Sequence, residues 1–436
     1  MGHLFYTNPR IFAVMVYKVI GLMSGSSLDG LDIAYVHLQE RAATSQLPKT
    51  WDFSLLHTAC YSYPDVWKER LASATGLSAL DYQLLHVEYG HYLGEQVLRF
   101  IEEFGLHYQV QLIVSHGHTT FHWPARRLTA QLGDGAAIAA ETRINVVSEL
   151  RAMDLALGGQ GAPIVPIGEK LLLPGYEYFL NLGGIANVSY HGAGAGGEAA
   201  AEAARGDSGV TAARGNAAVT AARGEGQSFF AFDVCPANRV LNALAGLEGR
   251  PYDEGGAIAA TGVIDNVLLQ QLNALPYYGL PSPKSLANDF GTETVLPLVM
   301  RVMGERGLSV AVALRTYTEH IAIQIGRAVA ELGGAKGSAA GTTSSGAAAM
   351  GSGLAAAPRM LVTGGGAHNT FLVERLRHKL AVDVVVPDEK LADFKEALIM
   401  GLIGVLRWRE ENNVMASVTG ASRDSIGGAV WIGQEA

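Results

Sequence analysis

Two aspartates, three serines and three glycines crowd the segment I-G-L-M-S-G-S-S-L-D-G-L-D-I-A, from Ile20 to Ala34. Apolar residues lead in and out as strands do, so the polar centre is read as the tip of a hairpin. A tight turn needs only two to five residues, whereas this tip is longer and rich in backbone N–H groups that no large side chain covers. Such a tip can cradle an anion. Asp29 and Asp32 can orient a cation beside it or merely cap a turn. Two further loops repeat the logic. Asn181, Gly183 and Gly184 stand in N-L-G-G-I-A-N, between apolar runs ending in Y-F-L and beginning V-S-Y. Gly364, Gly365, Gly366 and Asn369 stand in T-G-G-G-A-H-N, between M-L-V and the helical pattern F-L-V-E-R-L. Each loop alone reads as a turn. Together they describe a cleft that grips a polyphosphate nucleotide from two sides, through backbone N–H groups and a helix N-terminus.

Other residues carry chemistry of a different kind. Asp154 follows the apolar run I-N-V-V-S-E-L and precedes a glycine-rich turn, where it serves either as a helix N-cap or as an acid/base group at a cleft floor. His116, His118 and His122 form H-x-H-x-x-x-H, the spacing of a zinc site or of a sugar-binding wall. The acid of a zinc hydrolase is missing, so the sugar wall is the better reading and no transition metal is expected. The P-loop signature G-x-x-x-x-G-K-[ST] is absent. G-A-G-A-G-G at Gly192–Gly197 mimics a dinucleotide fingerprint, but it lies in Gly/Ala-rich sequence with no ordered βαβ unit around it.

The elements that must position these groups suit an α/β protein of two lobes. With 436 residues, 49% of them hydrophobic, the chain can build more than one core. A formal net charge of −9 argues against nucleic acid as a partner. Cys60 and Cys235 match no metal or redox spacing, which suits a reducing cytoplasm. The apolar run Ile11–Val16 is too short to cross a membrane and is not read as a signal peptide. Residues 1–15 read as an extension. The tracts 191–228 and 333–358 read as low-complexity insertions, the first with arginines nine residues apart at Arg205, Arg214 and Arg223. Residues 16–146 with 424–436, the latter expected to return as a helix, are assigned to one lobe. Residues 147–423 are assigned to the other.

An ordered series of motifs then resembles a known family. It runs G-L-M-S-G-S-S-L-D-G-L-D, S-H-G-H-T-T-F-H-W-P, Q-L-G-D-G and D-L-A-L-G-G-Q-G-A-P. It continues N-L-G-G-I-A-N, F-D-V-C-P-A-N, S-P-K-S and G-G-G-A-H-N. The series is similar to the anhydro-N-acetylmuramic acid kinases, two-lobed enzymes of the actin/Hsp70/hexokinase superfamily. The resemblance runs from about Val16 to the C-terminus outside the insertions. It implies two mixed sheets flanked by helices, with the active site in the cleft between lobes. The implied reaction uses ATP with Mg2+ to phosphorylate 1,6-anhydro-N-acetylmuramic acid while water opens its anhydro bridge. A kinase for another amino sugar, or a silent sugar sensor, is the alternative.

By the same resemblance Asp154 is the catalytic base, and Gly25, Ser26, Ser27, Leu28, Asp29, Gly30, Leu31 and Asp32 form the ATP loop. His116, Gly133, Asp134 and Glu396 face the sugar, and the protein is a homodimer. The chain departs from the common pattern at His118, Val234, Cys235 and Ala237. Where the family commonly has Gly-Arg-Glu, it has Ala287, Asn288 and Asp289.

Overall fold

The apolar runs around the opening loop form the expected hairpin. β1 (Val16–Ser24) and β2 (Gly30–Arg41) pair antiparallel, with Met23 opposite Asp32. The computed structural model describes residues 15–25, 28–41, 50–193, 227–282, 284–287, 289–334 and 357–433. Ser26, Ser27, Asn288, the three repeat arginines and most of both low-complexity tracts lie outside them. The strands that follow are β3 (Thr50–Ser62), β4 (Leu112–Ser115), β5 (His118–Trp123), β6 (Leu128–Leu132) and β7 (Val146–Ser148). After these come β8 (Tyr178–Leu182), β9 (Ile185–Ala193), β10 (Gln227–Pro236), β11 (Arg359–Thr363), β12 (Asp383–Val385) and β13 (Ala429–Trp431).

Two mixed sheets result. One has the order β13-β7-β4-β1-β2-β3 and the other β10-β9-β8-β11-β12, while β5 and β6 make a separate hairpin. The plan is used twice. β1-β2-β3 and β8-β9-β10 are antiparallel meanders, and β4 then β7, or β11 then β12, are added parallel to the first strand of each. In each meander the first hairpin carries one of the glycine loops singled out from the sequence.

The helices Ala79–Glu103 and Val310–Gly334 cover the sheets. Tyr89, Leu93, Val97 and Phe100 of the first pack with Ile20, Leu22 and Ile33, and Tyr317, Ile321 and Ile325 of the second pack with Leu180, Val188 and Val362. A third helix, Glu389–Trp408, is apolar nearly all round, as a helix buried on every side must be. It shares one core with Val19, Ala34 and Val114 of the first sheet and with Phe179 and Leu361 of the second. Its approach to β1 is set by backbone. A Cβ on Gly21 would lie 1.9 Å from the carbonyl oxygen of Ala397, and one on Gly404 would lie 2.1 Å from Val114 Cγ2.

One expectation changes. The C-terminal stretch expected to be helical supplies β13, which pairs antiparallel with β7, and Trp431 Nε1 donates to Ser148 Oγ at 3.0 Å. The helical propensity of the tail is weak next to the bonds that a free sheet edge offers. The residue 146/147 boundary falls inside β7.

The glycine seat is directly testable. Gly21→Ala must push the helix Glu389–Trp408 off β1 and should lower stability by about 3 kcal/mol, read from urea unfolding. An unchanged midpoint would show that this contact does not set the helix position.

Candidate active site

The second and third glycine loops meet. The Asn238 side-chain amide donates to the Leu182 carbonyl at 2.9 Å, and the backbone N–H groups of Ala237 and Asn238 donate to Gly184 and Gly183. Gly364 has φ +82°, and a Cβ there would lie 2.4 Å from Asn181 Oδ1; one on Gly366 would lie 2.6 Å from Leu182 Cβ. Only glycine fits this junction. Asn369 is spent on structure, its side-chain oxygen capping the helix Thr370–Lys379 by accepting from Leu372 N–H at 2.9 Å.

The first loop is anchored from beneath. Ser24, the last residue of β1, is buried, and its hydroxyl meets Tyr63 at 2.9 Å, Tyr89 at 3.2 Å and His118 Nδ1 at 3.2 Å. Leu28 takes a left-handed φ of +58° and Asp29 is exposed. Asp32 lies half-buried at the root of the loop. Burial raises its pKa to about 6 against the pull of a Cys60 hydrogen bond, and the charges of Glu396, Asp393 and Asp29 add to the rise. Glu396 and Asp393 both come from the buried helix. Two residues before Gly366, Gly364 N–H donates to that helix at Ala392 O, 2.8 Å, so the helix links the loops.

A cavity of about 710 Å³ lies between the sheets, walled by Met23, His116 and Arg151 on one side and by Asn181, Asp233 and Lys284 on the other, with Glu396 from the helix. A buried ion pair stiffens its wall. Lys395 Nζ lies 2.7 Å from Glu169, which also accepts from the Ser189 hydroxyl at 2.6 Å. Burial would raise the Glu169 pKa, but Lys395 and His191 hold it down at about 2. Glu396 has no hydrogen-bond partner among the described residues and keeps a pKa raised by burial, against the opposing pull of Lys395 and Arg151.

Two aspartates differ in their settings. Asp154 lies in the short helix Ala152–Ala156, is wholly buried, and does not line the cavity. Its Oδ1 accepts from the Thr419 hydroxyl at 2.6 Å and its Oδ2 from Gly161 N–H at 2.7 Å, so each oxygen accepts one bond from the protein. It holds the turn that leads into cavity residues Gln160 and Ala162–Pro166. Asp233, on β10 beside a bulge, does line the cavity. It accepts one bond, from Leu286 N–H at 2.9 Å, and burial lifts its pKa to about 6. A desolvated carboxylate with a free oxygen at a ligand cavity has the character of a general base.

Residues 17–201 and 198–433 match the family model for anhydro-N-acetylmuramic acid kinase.

The chain belongs to the anhydro-N-acetylmuramic acid kinase family.

A kinase of that name from Gloeobacter violaceus is 33% identical over 420 residues, 93% of this chain and 96% of its own. One from Vibrio parahaemolyticus is 29% identical over 422 residues, 93% and 95% of the two chains. The solved activator of the 2-hydroxyisocaproyl-CoA dehydratase from Clostridium difficile, with bound ADPNP, covers 92% of this chain and 99% of its own. At 13% identity and a TM-score of 0.35 that likeness carries no argument.

In this family member, His116 and Glu396 line the cavity. Gly133 and Asp134 do not line it: Asp134 caps the helix Gly135–Thr142, its oxygens accepting from Ala136 and Ala137 N–H at 3.1 and 3.3 Å. The three histidines share no centre. Their side chains bond Arg151, Ser24 and Thr129 respectively, and burial lowers their pKa values to about 3, 4 and 4.

Asp233 and Arg151 also line the cavity, and neither stands out in the sequence as a site residue. The only signal for Asp233 was the acid in F-D-V-C-P-A-N, an acidic residue inside an otherwise apolar strand.

The His118–Ser24 contact joins the sugar-side turn to the first glycine loop. His118→Ala should raise the KM for ATP about three- to tenfold, the worth of one buried hydrogen bond. The KM for the sugar should stay put. Because the ring is neutral, the effect should be constant from pH 6 to 9; an unmoved KM for ATP would remove this link.

Proposed function

We propose that this chain uses ATP to phosphorylate 1,6-anhydro-N-acetylmuramic acid while water opens the anhydro bridge, yielding N-acetylmuramic acid 6-phosphate in cell-wall recycling. Family membership supports the overall reaction, and the setting of Asp233 carries the mechanism. Asp233 takes a proton from water as the water oxygen bonds to the anomeric carbon. The bond from that carbon to the bridging oxygen breaks, and the freed oxygen at position 6 takes the γ-phosphoryl group from ATP, leaving ADP. The proton on Asp233 returns to solvent. We assign the base to Asp233, which lines the cavity; Asp154, the base that the family resemblance implies, does not line it and is the alternative that the assay below separates.

Phosphoryl transfer depends on positioning and charge neutralisation. The first glycine loop, with Asn181, Gly183, Gly184 and Gly364–Gly366, would hold the nucleotide. Asp29 and Asp32 would hold Mg2+, which would offset the phosphate charge. The raised pKa of Asp32 among the charges of Glu396, Asp393 and Asp29 fits a site that gains a cation on loading. Residues 16–146 with 424–436, and 147–423, would act as lobes that close on the sugar and exclude water. Two free thiols, Cys60 and Cys235, suit a cytoplasmic setting, and a homodimer remains part of the proposal on the strength of the family resemblance.

The assay is phosphate transfer from Mg-ATP to the anhydro sugar. Asp233→Asn should lower kcat about 10³-fold with its fold intact. Asp154→Asn should chiefly lower the unfolding temperature, because an amide N–H would face the donors of Gly161 and Thr419. The opposite pattern, with Asp233→Asn active and Asp154→Asn folded but inert, would return the base to Asp154. In the wild type kcat/KM should fall on acidification, with a limb near pH 6.

Stability should move the other way. Asp233 is raised from 3.8 to about 6 on folding, so its contribution is complete below its unfolded value and is lost as pH rises through the folded one. Asp233→Asn should therefore be more stable than wild type above pH 6, by on the order of 2 kcal/mol. The gap should close towards pH 4, as followed by thermal unfolding across that range.

A further inference from the structure

Three cationic side chains line the cavity, and two of them are satisfied by the protein. Lys395 is paired with Glu169 at 2.7 Å, both groups buried. Lys284 donates to the carbonyls of Tyr277 at 3.3 Å and Leu280 at 3.2 Å, with its ammonium 4.8 Å from the centre of the Tyr277 ring.

Arg151 differs. Its Nε donates to His116 Nε2 at 2.9 Å, while His116 Nδ1 lies 2.9 Å from the Gly117 carbonyl. That network puts the imidazole proton on Nδ1 and leaves Nε2 as the acceptor. The guanidinium is thus fixed in direction by a neutral partner. Its two Nη atoms make no hydrogen bond or ion pair among the described residues. Burial pushes its pKa down to about 10, and Glu396 acts on it without forming an ion pair. A desolvated guanidinium without a bonded counter-ion is costly unless a ligand completes it. Its charge is felt by His116, His122 and Glu396, but it is not among the charges acting on Asp32 at the root of the first glycine loop. Arg151 lines the cavity and Asp32 does not, so on the reading above Arg151 faces the sugar.

We propose that Arg151 is the subsite for the carboxylate of the sugar acid, its two Nη donors forming a forked pair with the two carboxylate oxygens. This rests on the reaction proposed above and adds the group by which the substrate is selected. N-acetylmuramic acid differs from N-acetylglucosamine by a lactyl ether that ends in a carboxylate. The forked geometry rewards that group over a neutral sugar of the same ring. His116 aims the guanidinium and is a positioning residue.

The test compares 1,6-anhydro-N-acetylmuramic acid with 1,6-anhydro-N-acetylglucosamine at saturating Mg-ATP, in wild type, Arg151→Lys and Arg151→Gln. Wild type should prefer the acid by about 10–100-fold in kcat/KM, the range for a hydrogen bond to a charged group. Arg151→Gln should bring the two sugars within a few-fold, the loss falling on the KM of the acid. Arg151→Lys should lie between, as a charge without the fork. Calorimetric binding of the acid to each nucleotide-free protein gives a readout independent of turnover, and it should weaken in the same order.

Equal loss on both sugars would assign Arg151 to the phosphoryl group or to folding, and would overturn the subsite. So would an acid preference unchanged in Arg151→Gln. A wild type that transfers phosphate to neither sugar would overturn the reaction itself, an outcome distinct from loss of the subsite alone.

Discussion

The contact of one helix with one glycine governs much of this molecule. Glu389–Trp408 runs between the two sheets and rests against β1 where Gly21 has no side chain. A tight backbone seat has little freedom to slide, since packed interiors deform poorly. Asp393, Lys395 and Glu396 ride on that helix, so a backbone contact fixes their height relative to the first glycine loop. The same helix accepts the Gly364 N–H at Ala392, which ties the third loop to the same datum. Distances across the cavity are thereby set by main-chain geometry, with flexible side chains left to finer adjustment.

Around that scaffold stand several groups whose charged forms burial disfavours. Asp32 and Asp233 have pKa values lifted to about 6, and Glu396 is raised as well, all mainly by burial. Arg151 is pushed down for the same reason. Each such group costs the fold stability where it is charged. By contrast Glu169 and Lys395, on the same wall, are fully paired. This contrast separates groups that shape the wall from groups held ready for a ligand, which is how a site can store stability that binding recovers.

Much of this was legible in the residues. Apolar runs flanking glycine-rich tips gave the two hairpins, and M-L-V followed by F-L-V-E-R-L gave the strand-to-helix loop. The setting of Asp154 was not legible because its neighbours in sequence say nothing of Thr419, 265 residues away, whose hydroxyl donates to one of its oxygens. Asp233 was missed because F-D-V reads as strand interior, and only the bulge between Asp233 and Cys235 marks it as a departure from regular pairing. The last strand was missed because three residues are too few for a periodic signal, and the free edge of β7 decides their state. In each case the deciding partner was distant in sequence.

The repeated plan of the two meanders also says where the chain can change without consequence. In the second sheet the β8–β9 turn, with Gly183 and Gly184, faces the glycine junction. Antiparallel pairing sends the β9–β10 connection to the opposite end, where Ala193 and Gln227 are register partners. Ala193 and Gln227, which bracket residues 194–226 in the sequence, therefore stand one strand-pair spacing apart at the end of the sheet away from Gly183 and Gly184. Doubling such a loop costs only about 0.6 kcal/mol. Length can drift there over evolutionary time with little selection against it, and a whole folded module could be spliced in while the catalytic geometry is kept.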